Sequence, residues 1–183
     1  NAIRHRDIKG ALPWLGWDKN PLTSVFTVRG CGLNCAECGG SHSANKNFLC
    51  RSRPAFRSPE KLVEDICAIQ DYLKSPIFII GDLRQGGDDY ASRFFSEARR
   101  QGVKNHLGME IFRPAGDAFF SEMERSIGEY TMEFSPDSHD ESVRTAMGKN
   151  YDNASIEKTL TSAFDNGCQR FDLFYMTGLP QQT

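Results

Sequence analysis

Short apolar runs that resemble β-strands alternate with amphipathic helices along most of the 183-residue chain. Ile77–Ile80 is apolar at every position, as expected of a parallel strand covered on both faces. Ahead of it, Ser58 and Pro59 mark a helix start, as an N-cap and a first-turn proline. Five strands are predicted, at about residues 25–28, 77–80, 107–112, 130–134 and 171–176. Strands that alternate with helices form right-handed βαβ units, so we predict an α/β fold with about five parallel strands.

Every loop that carries chemically suggestive residues follows one of these strands. The loops are the cysteine-rich stretch 31–38 and the stretches 81–82, 112–114, 135–138 and 178–180. In parallel sheets and barrels, ligands bind where the carboxyl ends of the strands meet. The pattern therefore predicts a ligand site at that end of the sheet.

Three cysteines, Cys31, Cys35 and Cys38, lie within eight residues with the spacing C-x3-C-x2-C. Three thiolates on an iron–sulfur cubane leave one iron with an open position, where a substrate can bind. A structural zinc site needs four ligands, which Cys35 and Cys38 could form with Cys50 and His42. A C-x2-C redox pair is a further alternative, but it leaves Cys31 unexplained. The spacing favours a [4Fe–4S] cluster.

The composition argues against several functional classes. The formal net charge is −2, so the chain has no basic field of the kind that nucleic-acid-binding proteins use. No stretch approaches the roughly 18 apolar residues of a membrane span, and the N-terminus has no secretory signal. Six cysteines in such a chain favour metal or redox chemistry over a disulfide framework, and we expect Cys67 and Cys168 to be small buried side chains. We predict a cytoplasmic protein.

The cysteine motif, placed just past the first strand of a βα series, resembles that of the radical S-adenosylmethionine (SAM) superfamily. This resemblance implies an incomplete TIM-like barrel, with five strands of a six-unit core. It also implies an enzyme whose [4Fe–4S] cluster cleaves SAM reductively to methionine and a 5′-deoxyadenosyl radical, which then starts radical chemistry on a substrate. The cofactors supply the difficult chemistry, and the protein positions them.

The resemblance also assigns three segments at strand ends to SAM. The first segment binds its amino group, the second binds its ribose, and the third borders its adenine. In this chain the corresponding residues are Gly81 and Asp82, then Ser135, Asp137 and Ser138, and finally Gly178, Leu179 and Pro180.

The stretches 27–41 and 171–183 most resemble the cobalamin-associated branch of the superfamily, in which a cobalamin-binding domain precedes the core. Residues 1–23 are accordingly expected to be a linker from an upstream domain, and residues 24–183 a core truncated at its C-terminus. Any cobalamin would be held outside this chain. The implied partners are an electron donor such as flavodoxin or ferredoxin and an unidentified substrate. A core that binds cluster and SAM without turnover is an alternative.

Two positions depart from the family pattern. The residue before the third cysteine is usually aromatic, whereas here it is Glu37. Relatives often carry arginine in the fourth-strand segment, where this chain offers Lys149, a less geometrically specific partner for a carboxylate. The partner of the SAM carboxylate therefore stays open between Lys149, Arg113 and Arg144.

Overall fold

The computed structural model describes residues 21–182, so most of the expected linker lies outside the described residues. In chain order the strands are β1 (Thr23–Phe26), β2 (Val28–Arg29), β3 (Ala55–Phe56), β4 (Ile77–Ile80), β5 (Leu107–Ile111), β6 (Tyr130–Asp137) and β7 (Arg170–Tyr175). The main sheet has the order β1-β4-β5-β6-β7, and all its neighbouring strands are parallel. The predicted α/β partial barrel with five parallel strands is confirmed.

The helices are α1 (His42–Leu49), α2 (Pro59–Gln70), α3 (Asp88–Gln101), α4 (Asp117–Ser126), α5 (Glu141–Ala146) and α6 (Asn153–Asp165). A short 3₁₀ helix, Leu83–Gly86, follows β4. The Ser58 side chain caps α2, as predicted, and Gly102 ends α3 in the left-handed conformation. Within residues 21–182, no helix has both the length and the apolar character needed to cross a bilayer.

Alternate residues of the central strands form the core. Ile79 of β4, Met109 of β5 and Met132 of β6 are almost fully buried on the same face of the sheet. The other face carries a row of carboxyl groups in register across β5, β6 and β7, from Glu110, Glu133 and Asp172. Because side chains alternate between the faces of a strand, one face forms the core and the other is left for polar groups.

The structure corrects the end of the fourth strand of the main sheet. The sequence predicts a strand to Phe134 and a loop over 135–138, but β6 continues to Asp137. Pairing with β7 resumes after a register shift, and the backbone N–H of Met176 donates to Asp137 O at 2.8 Å. A break in the pairing around Pro136, which has no N–H, is compatible with a bulge. Long-range pairing of this kind leaves no signal in the local sequence.

Candidate functional site

The cysteine loop lies between β2 and α1 and is fixed against the segment that follows α5. The backbone N–H of Ala36 donates to Met147 O at 3.0 Å. A Cβ added at Gly148, whose φ is +88°, would lie 3.2 Å from Asn34 O and 3.6 Å from Cys35 Cα. The backbone of Gly148 therefore packs directly on the loop. These contacts hold the backbone of the cysteine loop against Met147 and Gly148.

The three thiols are free, with Cys31 and Cys35 partly buried and Cys38 exposed. The backbone N–H groups of Leu33 and Gly40 lie 3.3 Å from the sulfur atoms of Cys31 and Cys38, respectively. Such donors stabilise a thiolate. Burial raises the pKa of Cys35, the Lys149 ammonium opposes this rise, and the neighbouring Cys38 and Cys31 add to it. The Glu37 carboxylate raises it as well, so the pKa of the central thiol depends on the charges around it.

Gln85, in the 3₁₀ helix after β4, is a site residue that the sequence did not reveal. Its Oε1 accepts a hydrogen bond from Gly32 N at 3.0 Å and one from the thiol of Cys31 at 3.3 Å. Its Nε2 is buried without a hydrogen-bond partner among the described residues. Gln85 thus connects the loop after β4 to the cysteine loop. The two loops are more than 50 residues apart in the chain, so no local sequence pattern predicts the contact.

A cavity of about 300 Å³ opens beside the cysteine loop, near the carboxyl ends of β5 and β6. This volume is at the lower end of the range for small-molecule sites. Its lining residues are Leu33, Cys35, Phe112, Arg113, Gly148, Lys149, Asn150 and Tyr151. One cysteine of the motif therefore shares a small cavity with two cationic side chains, and Gly148 and Asn150 join the candidate residues.

Arg144, one of the three candidate carboxylate partners, is fully buried and committed to the fold. Its guanidinium donates to Ser138 O at 2.8 Å and to Tyr151 O at 2.9 Å, and it stacks 5.1 Å from the centre of the Tyr151 ring. Glu141 lies 3.8 Å away. The side chain therefore holds the chain from 138 to 151 together and does not line the cavity.

Lys149 is also largely engaged. Its ammonium donates to Ser135 O at 2.7 Å, pairs closely with Asp137, and lies 3.7 Å from Glu37. Asp137 has no exposed surface and a left-handed φ of +67°. Burial raises the pKa of Asp137, and the Lys149 ammonium opposes that rise. Glu37 thus takes part in a charged cluster with Lys149 and Asp137 at the end of β6.

Arg113 is the remaining candidate. It is exposed and lines the cavity. Its guanidinium makes no hydrogen bond or ion pair with any residue from 21 to 182. Its backbone is nevertheless fixed, because the Arg84 side chain donates to Arg113 O at 2.7 Å and to Pro114 O at 2.9 Å. Arg113 therefore presents to the cavity a guanidinium that has no partner among residues 21–182, on a backbone that Arg84 fixes.

Asp82 is buried and fully occupied by hydrogen bonds. Its carboxylate accepts three bonds from the backbone and side chain of Arg84, at 2.6 to 3.0 Å, and one from Phe112 N at 2.9 Å. Gly81 precedes it with a φ of +101°, and its N–H donates to Glu110 Oε1 at 2.6 Å. Asp82, which is predicted to bind the SAM amino group, therefore fixes the backbone of Phe112, a residue that lines the cavity.

The other predicted contacts are spread around the same end of the sheet. Ser135 is exposed, whereas Ser138 is buried and accepts a hydrogen bond from Asp140 N at 3.1 Å. The stretch 178–180 forms a mostly exposed turn after β7, with a φ of +80° at Gly178. Neither group lines the cavity. The structure therefore gathers Cys35, Arg113 and Lys149 around one cavity, and the other predicted residues are not among those that line it.

Within residues 21–182, no group of three or more His, Cys, Asp or Glu side chains is arranged to hold a metal ion. A zinc site needs its ligands about 2.0–2.3 Å from one ion. The zinc alternative built on Cys35, Cys38, Cys50 and His42 therefore has no support from this arrangement. In a cubane each thiolate binds a different iron, so its ligands lie farther apart than those of one ion.

The sequence matches no protein-family model and no curated protein, but the fold has clear neighbours among solved structures. Two are of the radical S-adenosylmethionine methyltransferase TsrM from Kitasatospora setae. The first has tryptophan substrate and the SAM analog aza-SAM bound, and it matches this chain with a TM-score of 0.70 and 14% sequence identity. The match covers 91% of this chain and 32% of the TsrM chain. The one with cobalamin and a [4Fe–4S] cluster bound has a TM-score of 0.71, 14% identity and coverages of 91% and 33%.

A third neighbour is methylornithine synthase, PylB, with a TM-score of 0.61, 10% identity, and coverage of 88% of this chain and 46% of that chain. The fold is that of radical SAM enzymes. The resemblance inferred from the cysteine motif is therefore confirmed at the level of the fold. The chain spans a third to just under half of the length of these neighbours.

Proposed function

We propose that this chain binds a [4Fe–4S] cluster through Cys31, Cys35 and Cys38 and cleaves SAM reductively to start radical chemistry. The observation that carries the proposal is that Cys35, in a loop with two further free cysteines, lines a cavity at the carboxyl ends of a radical-SAM-type sheet. The structural neighbours, which include a methyltransferase and a synthase, support an enzyme.

The residues present fit the cluster. The three thiols share a loop that is braced by backbone contacts, and two of them already receive N–H donors. Three cysteines are one fewer than a cubane has irons, so one iron stays open for another ligand. When bound, the cluster would supply the single electron that reductive cleavage of the sulfur–C5′ bond of SAM requires.

The chain's own residues would bind and orient SAM. Arg113 is the candidate for its carboxylate, because the guanidinium is free and lines the cavity next to the wall formed by Cys35. A guanidinium can hold a carboxylate through two parallel hydrogen bonds. Asp82 and Arg84 act as positioning residues, since their contacts hold the backbone from 112 to 114.

Anaerobic reconstitution tests the proposal directly. We expect about four irons per chain, and 5′-deoxyadenosine release when dithionite and SAM are added. Iron without 5′-deoxyadenosine would mean that this stretch binds the cluster without turnover. Zinc with no iron or sulfide would contradict the proposal and favour the four-ligand zinc site.

Replacing Arg113 with Gln should weaken SAM binding by about 10- to 100-fold, because hydrogen bonds to charged groups contribute about 1.5–3 kcal/mol. Titration calorimetry of the reconstituted protein with SAM measures this affinity. Arg113→Lys should restore it only in part, since lysine lacks the planar fork. The matched control is Arg125→Gln, on α4 and paired with Glu122. Equal affinities for all four proteins would rule out Arg113 as the carboxylate partner.

We also propose that the complete enzyme belongs to the cobalamin-associated branch. A neighbour with cobalamin and a [4Fe–4S] cluster bound supports this assignment. The cobalamin would lie on a domain upstream of the described residues, with residues 1–23 as its linker. That division, the electron donor and the cytoplasmic location stay predictions.

A further inference from the structure

We propose that the exposed surface around α1 is the docking site for a small acidic electron-transfer protein. This α1 face consists of Arg29, Lys46, Phe48, Leu49, Arg51 and Arg53. The proposal rests on the proposed function, because only a cluster on the cysteine loop gives such a partner something to reduce.

The α1 face carries two exposed apolar side chains. Phe48 is 82% exposed and Leu49 is 62% exposed, at the carboxyl end of α1. Phe48 is the most exposed large apolar side chain in the described part of the chain. Leaving two neighbouring apolar side chains in water is unfavourable, and such patches with polar rims mark interaction sites.

The α1 face also carries four positively charged side chains. No Asp or Glu occurs from Gly39 to Pro59, although the whole chain has a formal net charge of −2. Antiparallel pairing of β2 with β3 brings Arg29 beside this stretch. Arg29, Lys46, Arg51 and Arg53 are exposed and form no ion pair with any residue between 21 and 182. The charges are therefore available to an acidic partner.

The α1 face is fixed to the cysteine loop. The side chain of Asn45, on α1, donates to Gly40 O at 2.8 Å and to Ser41 O at 3.1 Å, just past Cys38. On the other side of the loop, a Cβ at Gly30 would lie 3.6 Å from Pro54 Cα. Cys38 is also the exposed thiol of the three. A partner seated on this face would come close to the cluster ligands.

These features fit a redox protein better than a nucleic acid. Exposed apolar side chains together with charged ones are typical of protein–protein interfaces, and the interfaces of electron-transfer encounters are small. Opposite charges steer such partners together quickly, with an association rate that falls as salt is added. Nucleic-acid binding calls for a wider basic field than a chain of net charge −2 presents. In each productive encounter the donor would lose one electron and the cluster would gain it.

The test compares two reductants on the reconstituted chain. In the triple variant Lys46→Glu, Arg51→Glu and Arg53→Glu, 5′-deoxyadenosine formation driven by reduced flavodoxin should fall by about tenfold or more. Formation driven by dithionite should be unchanged, because dithionite needs no docking surface. The matched control reverses three exposed lysines elsewhere, Lys74, Lys104 and Lys158, and should behave as the unmodified chain does.

The contribution of the exposed apolar side chains of the α1 face to binding is tested separately. Phe48→Ser should weaken flavodoxin binding, measured by fluorescence anisotropy, whereas Tyr72→Ser, at a residue that is 78% exposed on another surface, should not. Equal flavodoxin binding and equal flavodoxin-driven rates in the α1-face variants and the controls would overturn the docking site. So would binding of a transfer RNA, or self-association, through this face in place of flavodoxin. Failure of the unmodified chain with dithionite would instead contradict the proposed function, and the anisotropy measurement would still decide the docking site.

Discussion

Replacing Cys35 with alanine is expected to abolish the iron–sulfur absorbance at about 400 nm and all SAM cleavage. Cys35 is the central thiol of the motif, and it lines the cavity beside Arg113 and Lys149. Its loop is anchored by the hydrogen bond that the backbone N–H of Ala36 donates to Met147 O. Two thiolates do not hold a cubane that normally needs three or four ligands. Absorbance, iron content and 5′-deoxyadenosine release measure the loss.

The chain offers its own controls for this prediction. Cys168 is buried away from the loop, and its thiol donates to Arg170 O at 3.1 Å. Cys50 is exposed at the end of α1. Alanine at either position should keep the iron content, whereas a zinc site would lose its metal with Cys50→Ala. A Cys35→Ala protein that still binds four irons would contradict the assignment of the cluster to this motif.

Gly81→Ala should destabilise the protein by about 3 kcal/mol or more. Gly81 has a φ of +101°, where a side chain costs of order 1–3 kcal/mol. The added Cβ would also lie 2.9 Å from Val28 Cγ1 and closer still to Thr27 Oγ1. Thr27 is fully buried, and its hydroxyl donates to Ile80 O at 2.9 Å, so it has little room to move. Thermal unfolding should show a midpoint lower by about 6–12 °C.

Gly128→Ala is the matched control, because a Cβ there would meet nothing within 4 Å and the φ is not left-handed. Its effect should stay within about 0.5 kcal/mol. The double variant Thr27→Ala with Gly81→Ala should recover part of the loss, since it removes the nearest clashing atom. An unchanged midpoint for Gly81→Ala would show that the backbone at the end of β4 is not held as the structure describes.

Much of the fold could be predicted from local patterns. Ile77–Ile80 is a strand because four consecutive apolar residues suit a fully covered position, and α2 starts where Ser58 caps it. The sequence pattern does not predict α1, because its only buried residue is the polar Asn45 and it has no row of buried apolar residues. β2 and β3 have two residues each and are defined by pairing with each other, which a sequence pattern cannot reveal.

The sequence by itself determined the alternation of strands and helices and the three-cysteine loop after the first strand, because both depend on residue type and spacing. Only the tertiary structure decided which of the three candidate cationic side chains lacks a partner among the described residues. Arg144 and Lys149 find carbonyl and carboxylate partners on segments that folding brings to them, and Arg113 finds none among residues 21–182. The role of a long cationic side chain depends on which acceptors lie near it in the folded protein. Those acceptors come from elements that are distant in the sequence.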